Sequence, residues 1–194
     1  LFAEAASRLM ADFDSVFENL RDHVAKKRGH IGIAALPSLA AGWLPHLLAQ
    51  YKQTYPGIHI ELFDSNSDRC LDLLQEGKAD VAITSPGNRI VEFDAEPLFA
   101  DRFYLVCPKD HALARFKSIQ LKQLEHQSFV QLRKGTSVRQ LIDARLEAIG
   151  IRAEGLEVEQ LATAAGLVAA GLGVAIVPEL TLFQFQDKRL KVIS

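Results

Sequence analysis

The order of strand and helix patterns along this chain predicts an α/β protein built as two lobes. Each half repeats a strand–helix–strand–helix–strand order with short links. Such an order folds as a parallel sheet with right-handed crossovers. The chain has 194 residues, 48% of them hydrophobic and 24% charged. That is enough to bury a core in one domain or in two small lobes, and it argues against disorder.

Residues 1–28 read as one long helix. Phe2, Leu9, Phe13, Val16 and Leu20 form an apolar seam of coiled-coil type. Lys26, Lys27 and Arg28 suit the negative end of a helix, and Gly29 ends it. The seam precedes any domain it could fold onto, so a partner helix is preferred over packing on its own domain.

In the first half, residues 30–34 read as a strand. A Pro-Ser turn follows, then an amphipathic helix to about Tyr55 with Pro45 near its first turn. Pro56 and Gly57 stop it. Residues 58–63 form the next strand, and residues 64–67 a loop with several possible N-caps. A helix over 70–75, closed by Gly77, leads to a strand over 79–83. Residues 92–99 and 102–106 read as further strands.

In the second half, a strand over 128–132 enters the loop 133–137. Ser137 and Gln140 have capping-box spacing, which opens a helix to about Ile149. A strand over 156–159, an Ala-rich helix over 161–170, a turn at Gly171-Leu172-Gly173 and a strand over 174–177 follow. Residues 190–193 read as a last strand.

Several function classes are excluded. Lys plus Arg number 22 and Asp plus Glu 24, so no basic excess marks a nucleic-acid surface. Cys70 and Cys107 form no C-x-x-C and read as buried free thiols. The N-terminus has no secretory pattern. The uncharged stretch 160–178 is broken by Gly166, Gly171 and Gly173, so it reads as helix, turn and strand rather than a membrane span. A cytoplasmic location follows. There is no G-x-S-x-G and no phosphate loop. Gly171-Leu172-Gly173 follows a helix and precedes a strand, the reverse of a dinucleotide fingerprint. The six histidines show no metal-ligand spacing. No cofactor, metal site or catalytic residue is expected, and the chain is read as a non-enzyme.

Small polar residues recur at the strand-to-helix junctions: Ser38; Ser65, Asn66 and Ser67; Thr84 and Ser85; Thr136 and Ser137. In an open parallel sheet these junctions lie at the carboxyl ends of the strands, where ligands bind. Helix N-termini there offer free N–H groups to an anion. Arg133 or Arg139 could add a clamp. The competing reading is that each small residue is an ordinary helix cap. For Arg133, Lys134 and Arg139 a solvated face is preferred.

Five stretches resemble the regulatory part of LysR-type transcriptional regulators. They are HIGIA (30–34) with LPHLL (44–48), YPGI (55–58), LLQEGKADVAI (73–83), FYLVCPKDHAL (103–113) and LVAAGLGVAIVP (167–178). The resemblance spans nearly all of the chain in the family's order. It implies a two-lobed type II periplasmic-binding-protein-like fold. Each lobe is a mostly parallel sheet flanked by helices, preceded by a long linker helix. The implied division is a linker/dimerisation helix over 1–28, lobe I over 29–106, lobe II over 107–189 and a return crossing strand over 190–194.

The implied function is effector sensing by a bacterial regulator. A small anionic metabolite binds the interlobe cleft and modulates DNA binding and transcription. The implied partners are that effector, a second copy or three further copies, and DNA through a winged helix-turn-helix before Leu1. No membrane is involved. By position, Pro37, Ser38 and Leu39 match the family's first cleft loop. Ser65, Asn66 and Ser67 match the second, and Thr84 and Ser85 the third. Arg133, Thr136 and Ser137 match the loop of the second lobe, and Gln160 the turn before its Ala-rich helix. The family continues past the second crossing strand, whereas this sequence ends at Ser194. The alternative reading is a solute-binding protein of a transport system with the same fold.

Overall fold

A computed structural model describes residues 29–85 and 88–194. The expected linker helix over residues 1–28 lies outside the described residues. The chain divides into two compact units, Leu1–Ala100 and Asp101–Ser194.

An apolar run makes β1 (Gly29–Ala35) the centre of the first sheet, with residues 31–35 all buried. A strand covered on both faces reads as a continuous apolar run. β2 (Ile58–Asp64) and β3 (Val81–Ile83) flank it in parallel, in the order β2-β1-β3. The helical segment after β1 begins with a wide turn over Leu39–Trp43, where the Leu44 N–H bonds the Leu39 carbonyl five residues back. It continues as α1 (Leu44–Thr54), with Pro45 in the first turn as expected.

The next crossover is α2 (Ser67–Gln75), which begins three residues before the expected 70. Its N-cap is Asn66, whose side chain accepts the Arg69 N–H at 2.9 Å. Cys70 and Leu73 of α2 pack with Ala34 and Ala79 as a small core. Gly32 lets the loop before β3 lie against β1. A Cβ at Gly32 would stand 2.3 Å from the Lys78 carbonyl oxygen. The Gly32 N–H donates to Asp80 Oδ2 at 2.8 Å, and the Asp80 N–H returns a bond to the Gly32 carbonyl at 2.7 Å.

The expected strand over 92–99 does not form. Asn88–Glu92 is a 3₁₀ helix, and residues 93–102 carry no regular element. Two causes are visible. Pro97 supplies no N–H to a ladder, and Arg89 ties the 3₁₀ turn to α2. Its guanidinium donates to Asp72 Oδ1 at 2.8 Å and to Gln75 Oε1 at 2.9 Å.

The end of α2 also carries a pH-sensitive group. Arg69 and Lys78 each lie 2.7 Å from the Glu76 carboxylate. The Arg69 hydrogen bond first, then Lys78, lower its pKa from the ordinary 4.5 to about 2. A depressed carboxylate stabilises the fold fully above its unfolded pKa, and that contribution is lost as pH falls towards the folded value. The stability gap between the native chain and Glu76→Gln should therefore close as pH drops from 4.5 towards 2. Because the pair is exposed, added salt should shrink the gap. Denaturant unfolding across that pH range, with NMR titration of the carboxyl, measures both.

In the second unit β4 (Phe103–Pro108) lies between β7 (Ala175–Pro178) and β8 (Leu190–Ile193), antiparallel to both. All of β4 thus belongs to this unit, and the division falls at 100/101. β5 (Ser128–Leu132) and β6 (Glu154–Val158) pair in parallel, and a single parallel bridge from Phe129 to Val174 joins them to β7. The crossovers are α3 (Ser137–Glu147) and α4 (Leu161–Ala169). Gly155 adopts φ +149°, and a Cβ there would meet the Phe129 carbonyl oxygen at 2.0 Å.

Two cores fill this unit. One gathers Leu105, Leu124, Phe129, Leu146 and Ile193, the other Val106, Val130, Val168, Val177 and Phe185. The uncharged stretch 160–178 resolves into α4, a turn and β7, as expected. No helix among the described residues is long and apolar enough to cross a membrane. Cys70 and Cys107 are free and buried. Burial raises both thiols, Cys70 to about 11.

Candidate functional site

In the first unit the loops after β1, β2 and β3 are drawn to one end of the sheet. The Leu36 N–H bonds the Ile83 carbonyl at 3.2 Å, and the Ser65 N–H bonds the Ala35 carbonyl at 3.0 Å. These two bonds bring the segments that carry Pro37, Ser38, Ser65, Thr84 and Ser85 to neighbouring strand ends. Ser38 is already helical, at φ −64° and ψ −38°, and its side chain makes no cap bond. Leu39 is 5% exposed and belongs to the core. Asn66 is committed to capping α2. Ser67 is the first residue of that helix, and it too has a partner.

Thr84 stands apart from the others. Its Oγ1 is buried and has no hydrogen-bond partner among the described residues. An unsatisfied buried polar atom costs about 1–3 kcal/mol, so it calls for a reason. It follows β3 directly, at the carboxyl end of a parallel strand.

A second feature of this unit was not read from the sequence. A groove of about 810 Å³ runs beside β2, and Ser65 is the only expected site residue in it. Glu61, Asp64 and Asp80 give it three carboxylates, and its Arg69 is already paired with Glu76.

In the second unit the carboxyl ends of β5 and β7 meet the first turns of α3 and α4. Phe129, Gln131, Arg139, Leu161, Ala164 and Ile176 line a small cavity there, of about 10 Å³. Thr136 is the N-cap of α3, and its Oγ1 accepts the Arg139 N–H at 3.3 Å. This corrects the expected capping box at Ser137 and Gln140. Thr136 holds extended backbone, at φ −79° and ψ 143°, while Ser137 is already the first helical residue. Gln160 takes the N-cap position of α4 with no side-chain cap bond.

Arg133 is exposed and paired with Glu159, in keeping with the solvated face expected for it. The same expectation fails for Arg139, which is 4% exposed. Its Nε donates to both Asp143 oxygens, at 2.8 and 2.7 Å. Its Nη1 donates to the Leu132 carbonyl at 2.8 Å and to Glu157 at 3.1 Å. The physical reason is tertiary: Glu157 comes from β6, so no local pattern marks the site of burial.

Gln131 was missed as well. Its Oε1 is buried without a partner among the described residues, while its Nε2 donates to the Ala153 carbonyl at 3.0 Å. A polar residue inside the apolar run of β5 was the available signal. Among the described residues, no group of three or more His, Cys, Asp or Glu could hold a metal ion.

Each of the two α/β units thus holds one buried side-chain oxygen without a partner among the described residues, Thr84 Oγ1 and Gln131 Oε1. The chain belongs to the LysR substrate binding domain family, whose model matches residues 25–194. It is 28% identical over 178 residues to the uncharacterized HTH-type transcriptional regulator YbhD of Escherichia coli, covering 91% of this chain and 56% of that protein. It is 29% identical over 184 residues to the uncharacterized HTH-type regulator YybE of Bacillus subtilis, covering 93% and 62%. The chain thus spans less than two thirds of the length of these relatives. The effector binding domain of QuiR in complex with shikimate shares the fold, at a TM-score of 0.78 and 24% identity, covering 86% of this chain and 80% of that one.

Proposed function

We propose that this chain is the effector-sensing domain of a LysR-type transcriptional regulator and that its ligand binds at the carboxyl ends of the strands. The observation that carries the reading is the orphaned Thr84 Oγ1, buried directly after β3. The Ser38 side chain, which makes no cap bond just after β1, supports it, because its segment is tied by the Leu36 N–H to the same strand end. Pro37, Ser38, Ser65, Thr84 and Ser85 serve the first unit. Thr136, Ser137 and Gln160 stand at the strand ends of the second.

The mechanism is a population shift. The ligand favours one arrangement of the regulator, and typical couplings of about 1–3 kcal/mol change the affinity for DNA several-fold. DNA contact is assigned to a winged helix-turn-helix outside this sequence, assembly to a homodimer or homotetramer, and location to the cytoplasm. The role is regulatory rather than catalytic, in line with the regulator names of the relatives.

A thermal-shift screen of small hydroxylated and plain carboxylates tests the reading. A ligand at a hundredfold excess over its Kd should stabilise the chain by about 2.7 kcal/mol. Thr84→Val keeps the shape and removes the orphan hydroxyl. It should leave the unliganded chain as stable or slightly more so, and the ligand-induced shift should fall. A ligand whose shift survives Thr84→Val unchanged would place the site elsewhere.

A further inference from the structure

We propose that the cavity at Gln131 is a subsite that receives one hydroxyl group of the effector, so that the effector is a hydroxylated acid. This rests on the effector-sensing reading and narrows it. The orientation of the Gln131 amide is fixed by its surroundings. Nε2 faces the Ala153 carbonyl at 3.0 Å, which only a donor can do. The remaining atom, Oε1, is therefore an acceptor, and it is buried without a partner among the described residues. An acceptor there repels a carboxylate oxygen and calls for an O–H or N–H.

Size narrows the choice. The cavity measures about 10 Å³, the space of one water-sized group. Phe129, Val138, Leu161 and Ala164 form apolar walls, so a larger polar group would lose its hydration without compensation. The one cation in the wall, Arg139, is engaged by Asp143, Glu157 and the Leu132 carbonyl. It adds no strong pull on an anion. A hydroxyl satisfies all three conditions: it is neutral, it donates, and it fits. The position also suits a ligand group, because the cavity lies between β5 and β7 beside the first turns of the two helices α3 and α4.

The test uses matched pairs of acids that differ by one hydroxyl. Suitable probes are lactate with propionate, malate with succinate, and mandelate with phenylacetate. Each is titrated calorimetrically into the native chain and Gln131→Met. At least one hydroxylated member should bind about tenfold tighter than its partner, the worth of one well-made hydrogen bond. The preference should fall to within about twofold in Gln131→Met, which removes the acceptor. Circular dichroism of each variant guards against unfolding. If Gln131→Met unfolds, Gln131→Leu takes its place.

A hydroxyl preference untouched by loss of the acceptor, or plain acids binding as well as hydroxylated ones, overturns the subsite alone. Failure of every acid to bind the folded chain overturns the effector reading and the subsite with it. In a crystal structure of a bound complex, a water retained on Oε1 would reduce the cavity to a structural water site.

Discussion

Asp143→Ala should destabilise the chain by about 2–4 kcal/mol, more than Arg139→Met, although the arginine makes more of the contacts. The reason is which charge each change strands. Arg139 is 5% exposed at its side chain, whereas Asp143 and Glu157 are 27% and 41% exposed. Removing Asp143 strips both Nε bonds from a buried guanidinium and leaves it only one carboxylate, and taking partners from a buried charge is the costly outcome. Replacing the arginine with Met fills a similar volume and returns two partly wet carboxylates to water. It forfeits the bond to the Leu132 carbonyl, so about 1–2 kcal/mol is expected. Denaturant unfolding of both variants gives the order. The reverse order would mean that packing of the arginine stem, not its charge, holds the start of α3.

Gly32→Ala should cost about 3 kcal/mol or more. The added Cβ would stand 2.3 Å from the Lys78 carbonyl oxygen, 3.0 Å from the Ala79 Cα and 3.2 Å from the Lys78 carbonyl carbon. All three are backbone, so no side chain can swing away. The strand and the loop must part instead. Parting them breaks the reciprocal bonds between Gly32 and Asp80. Overpacking of this kind costs about 1–3 kcal/mol by itself, and each lost buried hydrogen bond adds about 1 kcal/mol. Gly29→Ala is the matched control on the same strand, because nothing lies within 4 Å of a Cβ there. Equal stability of the two variants would show that β1 and its neighbouring loop yield more freely than their bonding implies.

The parts of the fold that were legible in the sequence are those governed locally. The apolar run of β1, the stop at Pro56 and Gly57, and Pro45 in a first turn act within a few residues. All three are found. What was misread depended on groups far apart along the chain. Arg139 looked like one more cation on a helix until β6 brought Glu157 beside it. The run 92–99 had apolar residues enough for a strand, but Pro97 offers no N–H to a ladder, and Arg89 holds the preceding turn to α2 instead.

The candidate site shows the same division. Ser38, Ser65 and Thr84 were picked out as polar residues at strand ends, and that placement holds. Which of them stays unsatisfied is a property of packing, as at Thr84. Gln131 could be singled out only once its amide was seen to have one end bonded and the other bare. The Thr136 cap was obscured by a neighbouring serine of the same chemistry, and backbone angles alone separate the two.

The burial of both cysteines has a practical consequence. The chain contains two cysteines, and with Cys70 raised to about 11 its thiolate is scarce at neutral pH. Thiolate is the reactive form and both thiols are buried and raised, so both should react slowly with maleimides and spin-label reagents. A single cysteine placed at an exposed position in each unit would therefore react alone. This chain is thus a ready background for attaching one probe in each unit and following the distance between the two probes as ligand is added.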